Sequence, residues 1–360
     1  MGRGLKAGLV VAVVTGTLAL TLPAWGSVSP TARQRAAYGV TYLVSQQNAD
    51  GSFPGFSAVG STADGVLATV AARTAGSATR RAITYLEAHA GEAGSIGQKA
   101  KLVLAAVAAG RDPRSFGGHN LVQEIRTSMT PEGRFGASTP VLEDGLAVLA
   151  LDAAGVVPPR RAFMWLAGAQ CADGGWQYDE PSTADDNSHC VSQTDPANDF
   201  YPADTNTSAY AVMALATHPR QASPAHDPFA FFRAVRAEVL RTPRMHRGYA
   251  YTFRRYMFDP GAPLVADANS TALVLQAFYA RGKEGPRGAR RALTALQYRL
   301  CGERAGAFAY SWQKGEDGRY HRTGPNAGAT IGAVPALVKK ALPLASFEGD
   351  FRPAPKPKPC

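Results

Sequence analysis

One pattern recurs along this chain with a fixed internal grammar: an amphipathic stripe, a Gly turn closed by an aromatic residue, then a run of small and apolar residues. The clearest copy runs from Phe163, Leu166, Ala167 and Gln170 through Asp173-Gly174-Gly175-Trp176 to the stretch from Asp204 to Ala211. A second copy leads from Val40, Leu43, Val44 and Gln47 through Asp50-Gly51-Ser52-Phe53 to the stretch from Ser61 to Ala68. The interval from stripe leucine to turn aromatic is the same in both, Leu43 to Phe53 and Leu166 to Trp176.

Weaker copies centre on Tyr85-Leu86 with the run to Ala109, on Gly133-Arg134-Phe135, on Gly248-Tyr249 and on Gly306-Ala307-Phe308, making six units. A unit of this size cannot bury its own apolar face, so neighbouring units must share a core. The i, i+3, i+4, i+7 spacing of the first segment predicts a one-sided helix. The second segment, as in Ser208 to Leu215 or Ala100 to Ala109, is small or apolar almost all round and predicts a helix packed on both sides. Six outer and six inner helices close most simply into a double ring, an all-α fold.

The segment from Arg161 and Phe163 through Gln170 to Gly175-Trp176 resembles the Gln-Trp repeat of the squalene cyclase and protein prenyltransferase superfamily. The resemblance implies an α/α (α6/α6) toroid over residues 31–344. Among exported relatives, degenerate repeats of this kind are similar to the helical domain of the transcobalamin and intrinsic-factor family. That likeness implies cobalamin or another corrinoid as ligand, and a small β domain that closes over it.

Residues 1–26 have a basic start at Arg3 and Lys6, an apolar stretch from Ala7 to Leu22 and small residues at Ala24 and Gly26, the layout of a secretory signal peptide. The apolar stretch falls short of the roughly 20 residues that span a bilayer. A secreted protein, free or held at the cell envelope and not membrane-spanning, is expected. The formal charge is +10, with 38 Lys and Arg against 28 Asp and Glu, but the basic residues are scattered without interleaved aromatics, which argues against nucleic acid. The segment 345–360 is rich in proline and lysine and reads as a disordered tail in polyproline form.

Four cysteines in an exported chain predict two disulfides. Cys171 and Cys190 flank a long acidic loop, and Cys301 stands at the repeat position of Cys171, which leaves Cys360 as its partner. Three sharper readings compete with this. Asp185, His189 and Cys190 lie close enough to suggest zinc, without the ligand order that the prenyltransferases require. The loop carboxylates Asp179, Glu180, Asp185, Asp186, Asp195 and Asp199 lack the spacing of a calcium loop. Cys301-Gly302-Glu303-Arg304 resembles a thioester motif but carries Arg304 where the thioester needs Gln.

The inner helices all start after the Gly-aromatic turn, so their N-termini gather on one rim with their unpaired N–H groups. The starts offer Asp64, Asp144, Asp204, Asn206, Asp267 and Asn269, residue types that also serve as helix caps. Tyr178, Tyr251 and Tyr310 stand two residues after the turn aromatics Trp176, Tyr249 and Phe308, on the same side of an extended segment. Acids and amides around three phenols form a ligand-binding rim. Neither the cyclase Asp-x-Asp-Asp nor a prenyltransferase zinc motif is present, so binding is expected ahead of catalysis, with no required cofactor. The alternatives are a cyclase-like or carbohydrate-active enzyme, for which Asp64 and Asp144 would be the two carboxylates, and a cell-wall interaction module. A corrinoid role would need a separate small β protein and a membrane importer as partners.

Overall fold

The computed structural model describes residues 30–136, 140–178, 203–238, 247–252 and 263–360. Its outer helices are α1 (Pro30–Gln46), α3 (Gly76–Ala88), α5 (Leu121–Thr127), α7 (Arg160–Gly168), α9 (Pro228–Ala234) and α11 (Arg287–Leu296). They alternate with inner helices α2 (Ala58–Ala72), α4 (Ile96–Ala108), α6 (Pro140–Ala153), α8 (Thr205–Thr217), α10 (Ala268–Ala280) and α12 (Ala327–Leu337). Each inner helix packs on the next, and α12 packs on α2, so the inner ring closes. The expected α/α toroid is the fold observed. Among the described residues no helix is long and apolar enough to cross a membrane.

The repeat grammar has a physical account in three contacts. At Gly51, Gly133, Gly174 and Gly306 the backbone lies at positive φ, and an added Cβ would meet a backbone carbonyl of the next unit's outer segment, at Arg81, Arg161, Asp227 or Tyr38. Only glycine permits both the conformation and the approach.

The second contact is a glutamine staple. Gln170 Nε2 donates to Gly174 O in its own turn and to His226 O in the next unit, both at 2.9 Å. Gln47 bridges Gly51 O and Ala78 O in the same way, at 2.8 and 3.0 Å. Gln297 joins Gly306 O to Arg35 O on α1, at 3.1 and 2.9 Å, so the same device ties the last unit to the first.

The third contact seats the turn aromatic. Trp176 is fully buried and its indole N–H donates to Leu166 O at 2.8 Å. Burying an indole requires such a partner. Phe53, Phe135, Tyr249 and Phe308 are buried at the equivalent places.

Segment 345–360 departs from the expectation of a disordered tail. Phe347 N–H donates to Ala108 O at the end of α4, Arg352 exchanges backbone hydrogen bonds with Arg73 and Ala75, and Thr41 on α1 donates to Pro355 O. Gly302 N–H then donates to Lys358 O, and Cys360 is bonded to Cys301 as expected. Phe347 and Phe351 pack edge to face, with Arg73 over the Phe347 ring. These aromatic anchors give the tail enough apolar contact to offset its ordering cost, which its proline and lysine content concealed. The tail is therefore a strap joining the second, first and last units. Cys171 is also disulfide-bonded. Its expected partner Cys190, the proposed zinc and calcium ligands and the leader lie outside the described residues.

Candidate functional site

The rim is built by paired segments. Asp204 N–H donates to Trp176 O and Asp267 N–H to Tyr249 O, so the extended aromatic segment lies against the start of its own inner helix. Two residues further on the carbonyl turns to the preceding unit: Thr205 N–H donates to Tyr251 O, Ala268 N–H to Tyr310 O and Leu142 N–H to Tyr178 O. On α6, α8 and α10 one of the unpaired N–H groups that a helix start presents is thus taken by a tyrosine backbone. Tyr251 and Tyr310 remain 41% and 43% exposed, and Tyr178 is half-buried.

The phenols are neighbours. Burial raises the Tyr251 hydroxyl, and Asp204, Tyr178, Tyr310 and Asp267 each add to the shift. Asp267 and burial together push Tyr310 up to about 12.

Asp204 and Asp267 are N-caps rather than free rim acids. Asp204 Oδ1 accepts from Asn206 N and Thr207 N at 2.9 Å, and Asp267 Oδ1 accepts from Ser270 N at 2.8 Å. Both are buried, and desolvation raises each to about 6 against the opposing pull of their backbone hydrogen bonds. Asp204 Oδ2 is buried with no hydrogen-bond partner among the described residues.

Two expectations about helix starts need correction. Helix α2 begins at Ala58 under a Ser57 cap, so Asp64 lies in its second turn, below the rim. Asp144 is likewise inside α6 and fully buried in the ring wall, where its Oδ1 accepts from Phe135 N at 3.0 Å. Burial holds its carboxyl well above the ordinary range. Asp64 and Asp144 therefore do not face each other as a catalytic carboxylate pair.

Inside the ring lies a well of about 600 Å³, lined from all six inner helices. Its mouth carries Phe56, fully exposed on the loop before α2. Its walls are largely apolar, with Leu67, Leu146, Leu273, Ile331 and Pro335, and Leu342 also contributes. On one side Lys101 Nζ of α4 donates to Asp64 Oδ2 at 2.7 Å, both side chains keeping 25–30% of their surface open. Desolvation pulls the Lys101 ammonium down, but the Asp64 carboxylate outweighs it and holds the group above the usual lysine range. Tyr210 faces the same cavity, and burial raises its hydroxyl to about 12.

Of the nine expected rim residues, Asp64, Asn206 and Asn269 line the well. Tyr178, Tyr251 and Tyr310 form the rim, while Asp204 and Asp267 cap helices beneath it. Asp144 belongs to the wall. Lys101, Tyr210, Gln276 and Phe56 also line the well, and the repeat pattern does not single them out. Helix α4 carries two lysines, Lys99, which pairs with Glu124, and Lys101, and the sequence does not say which of them faces the well.

Among the described residues no cluster of His, Cys, Asp or Glu is arranged to hold a metal.

No protein family matches the chain by sequence profile, and no curated protein is similar to it by sequence. Solved structures do share its fold. A protein from Actinoplanes is 15% identical, with TM-score 0.51, over 86% of this chain and 99% of that one. The type II terpene cyclase MstE from Scytonema, in complex with geranylgeranyl dihydroxybenzoate, is 13% identical, with TM-score 0.50, over 86% and 98%. An α-1,6-mannanase from Salegentibacter, in complex with α-1,6-mannotetrose, is 11% identical, with TM-score 0.50, over 86% and 98%. The chain has the α/α toroid fold of these proteins; at such identities the likeness establishes architecture alone.

Proposed function

We propose that this protein binds an amphipathic small molecule in the central well, admitted between Phe56 and the rim tyrosines. One observation carries the reading: a well of about 600 Å³ joins an apolar surface of Leu67, Leu146, Leu273 and Ile331 to polar side chains, Asp64, Lys101 and Gln276 among them, the size and make-up of a small-molecule site. Binding is preferred to catalysis because Asp64, an acid of the well, is engaged by Lys101, and Asp144 is held in the wall. The Cys301–Cys360 disulfide supports an oxidising, exported setting.

A corrinoid is the second reading, favoured by the exposed faces of Tyr251 and Tyr310. Such a macrocycle would lie across the rim, with a separate small β protein closing over it and an importer as further partner. The cyclase and mannanase are enzymes on this fold, and a catalytic role here would fall to Asp64 or Glu143, the acids that line the well.

Native mass spectrometry of protein secreted by its own host, beside calorimetric titration with cobalamin and cobinamide, tests both readings. A bound mass that is lost in a folded Leu273→Trp variant places the ligand in the well. Corrinoid heat that survives this variant moves the site to the rim. Neither bound mass nor heat would refute ligand binding.

A further inference from the structure

The polar groups on the wall of the well outnumber their protein partners. Gln276 of α10 is only 4% exposed, lines the well and makes no side-chain hydrogen bond to any described residue. Lys101 has three donors and uses one, on Asp64 Oδ2, while Asp64 Oδ1 accepts from no described residue. Asn269 Oδ1 is buried without a partner, and the Asn206 amide nitrogen donates to none. Asn269 Oδ1 is the buried atom among these, and leaving such an atom unpaired is costly; the other groups open on the well, where solvent or a ligand is their partner.

The kind of group missing can be read from the kind present. A carboxamide such as Gln276 shows a donor and an acceptor side by side, and Lys101 with Asp64 shows the same pair in ionic form. Each is complemented by a group with an acceptor and a donor on one edge, as a primary carboxamide has, and as the N–H and C=O of one residue in an extended peptide have. An ester offers no donor, a hydrocarbon offers neither, and a carboxylate would bring its charge beside Asp64. The leucines, Ile331 and Pro335 between these points call for apolar substituents.

Building on the reading of the well as the binding site, we propose that its ligand is an uncharged apolar molecule bearing two or more amide groups, as a short capped peptide does. One such amide edge meets Lys101 and Asp64, and another meets Gln276.

The probes are N-acetyl-dileucine amide, its analogue with the central amide replaced by an ester, cobinamide, and propylbenzene, each titrated into the full chain by ligand-observed NMR. Expected is binding of an amide probe, with the peptide amide at least tenfold tighter than its ester analogue. The peptide and cobinamide arms separate a linear from a macrocyclic amide. Propylbenzene bound while neither amide probe binds, or equal affinity for the peptide amide and its ester, overturns the amide class and leaves the well as a binding site. No binding of any probe overturns both.

Gln276→Leu gives an independent readout. It should raise the melting temperature of the free protein while weakening the peptide amide at least fivefold. A lowered melting temperature would show Gln276 to be structural and end its assignment as a ligand contact.

Discussion

Phe135 donates its backbone N–H to Asp144 Oδ1 at 3.0 Å, in a place where four other units use a hydroxyl. Phe53 donates to Thr62, Trp176 to Ser208, Tyr249 to Thr271 and Phe308 to Thr330, at 2.8–3.0 Å. Ser208 also donates to Trp176 O, and Thr271 to Tyr249 O. A hydroxyl can accept and donate together, whereas an ionised carboxylate can only accept. Burial raises the Asp144 carboxyl and so favours its neutral form in the position of a hydroxyl, and its Oδ2 is buried with no partner among the described residues.

Asp144→Thr restores the repeat and should stabilise the protein at pH 7 by about 1–3 kcal/mol, the typical cost of an unsatisfied buried polar group. The sign of the pH dependence follows from linkage. The folded state holds its proton to higher pH than the unfolded chain does, so the parent loses stability as pH rises from about 4 through the raised folded value. Asp204 and Asp267, raised to about 6, act in the same direction between about pH 4 and 6. The melting-temperature advantage of Asp144→Thr over the parent should accordingly be small at pH 4 and larger at pH 7. A variant less stable than the parent at pH 7 would contradict this account.

Gln170→Leu removes both staple donors and leaves Gly174 O and His226 O without them, and His226 N loses the Gln170 Oε1 acceptor at 2.8 Å. A loss of roughly 1–3 kcal/mol in chemical denaturation is expected, with the helical circular dichroism signal of the native state retained. An unchanged midpoint would show the staple to be dispensable.

Cys360→Ser releases the end of the strap. The disulfide closes a sequence separation of 59, for which the chain-entropy model gives a stabilisation of about 4 kcal/mol. The variant should melt well below the oxidised parent, and reducing agent should lower the parent toward it. If the two melt together under non-reducing conditions, the strap holds without its covalent end.

Local chemistry is legible in the amino-acid sequence. The Gly-aromatic turns, the outer stripes, the caps at Asp204, Asp267 and Asn326 and the Cys301–Cys360 pair all follow from residues read a few positions apart or at equivalent repeat positions. The tail's docking does not follow, because Phe347 and Phe351 acquire meaning only beside Arg73 and Ala108.

What the sequence determined by itself was the repeat, and through it the ring: an amphipathic helix specifies its own buried side, and a glycine at positive φ specifies its own turn. What only the tertiary structure decided was which residues face the axis. An inner helix that is apolar nearly all round has no preferred side, so closure of six such helices, not local pattern, turned Asp64 to Lys101 across 37 residues of sequence and placed Asp144 in the wall.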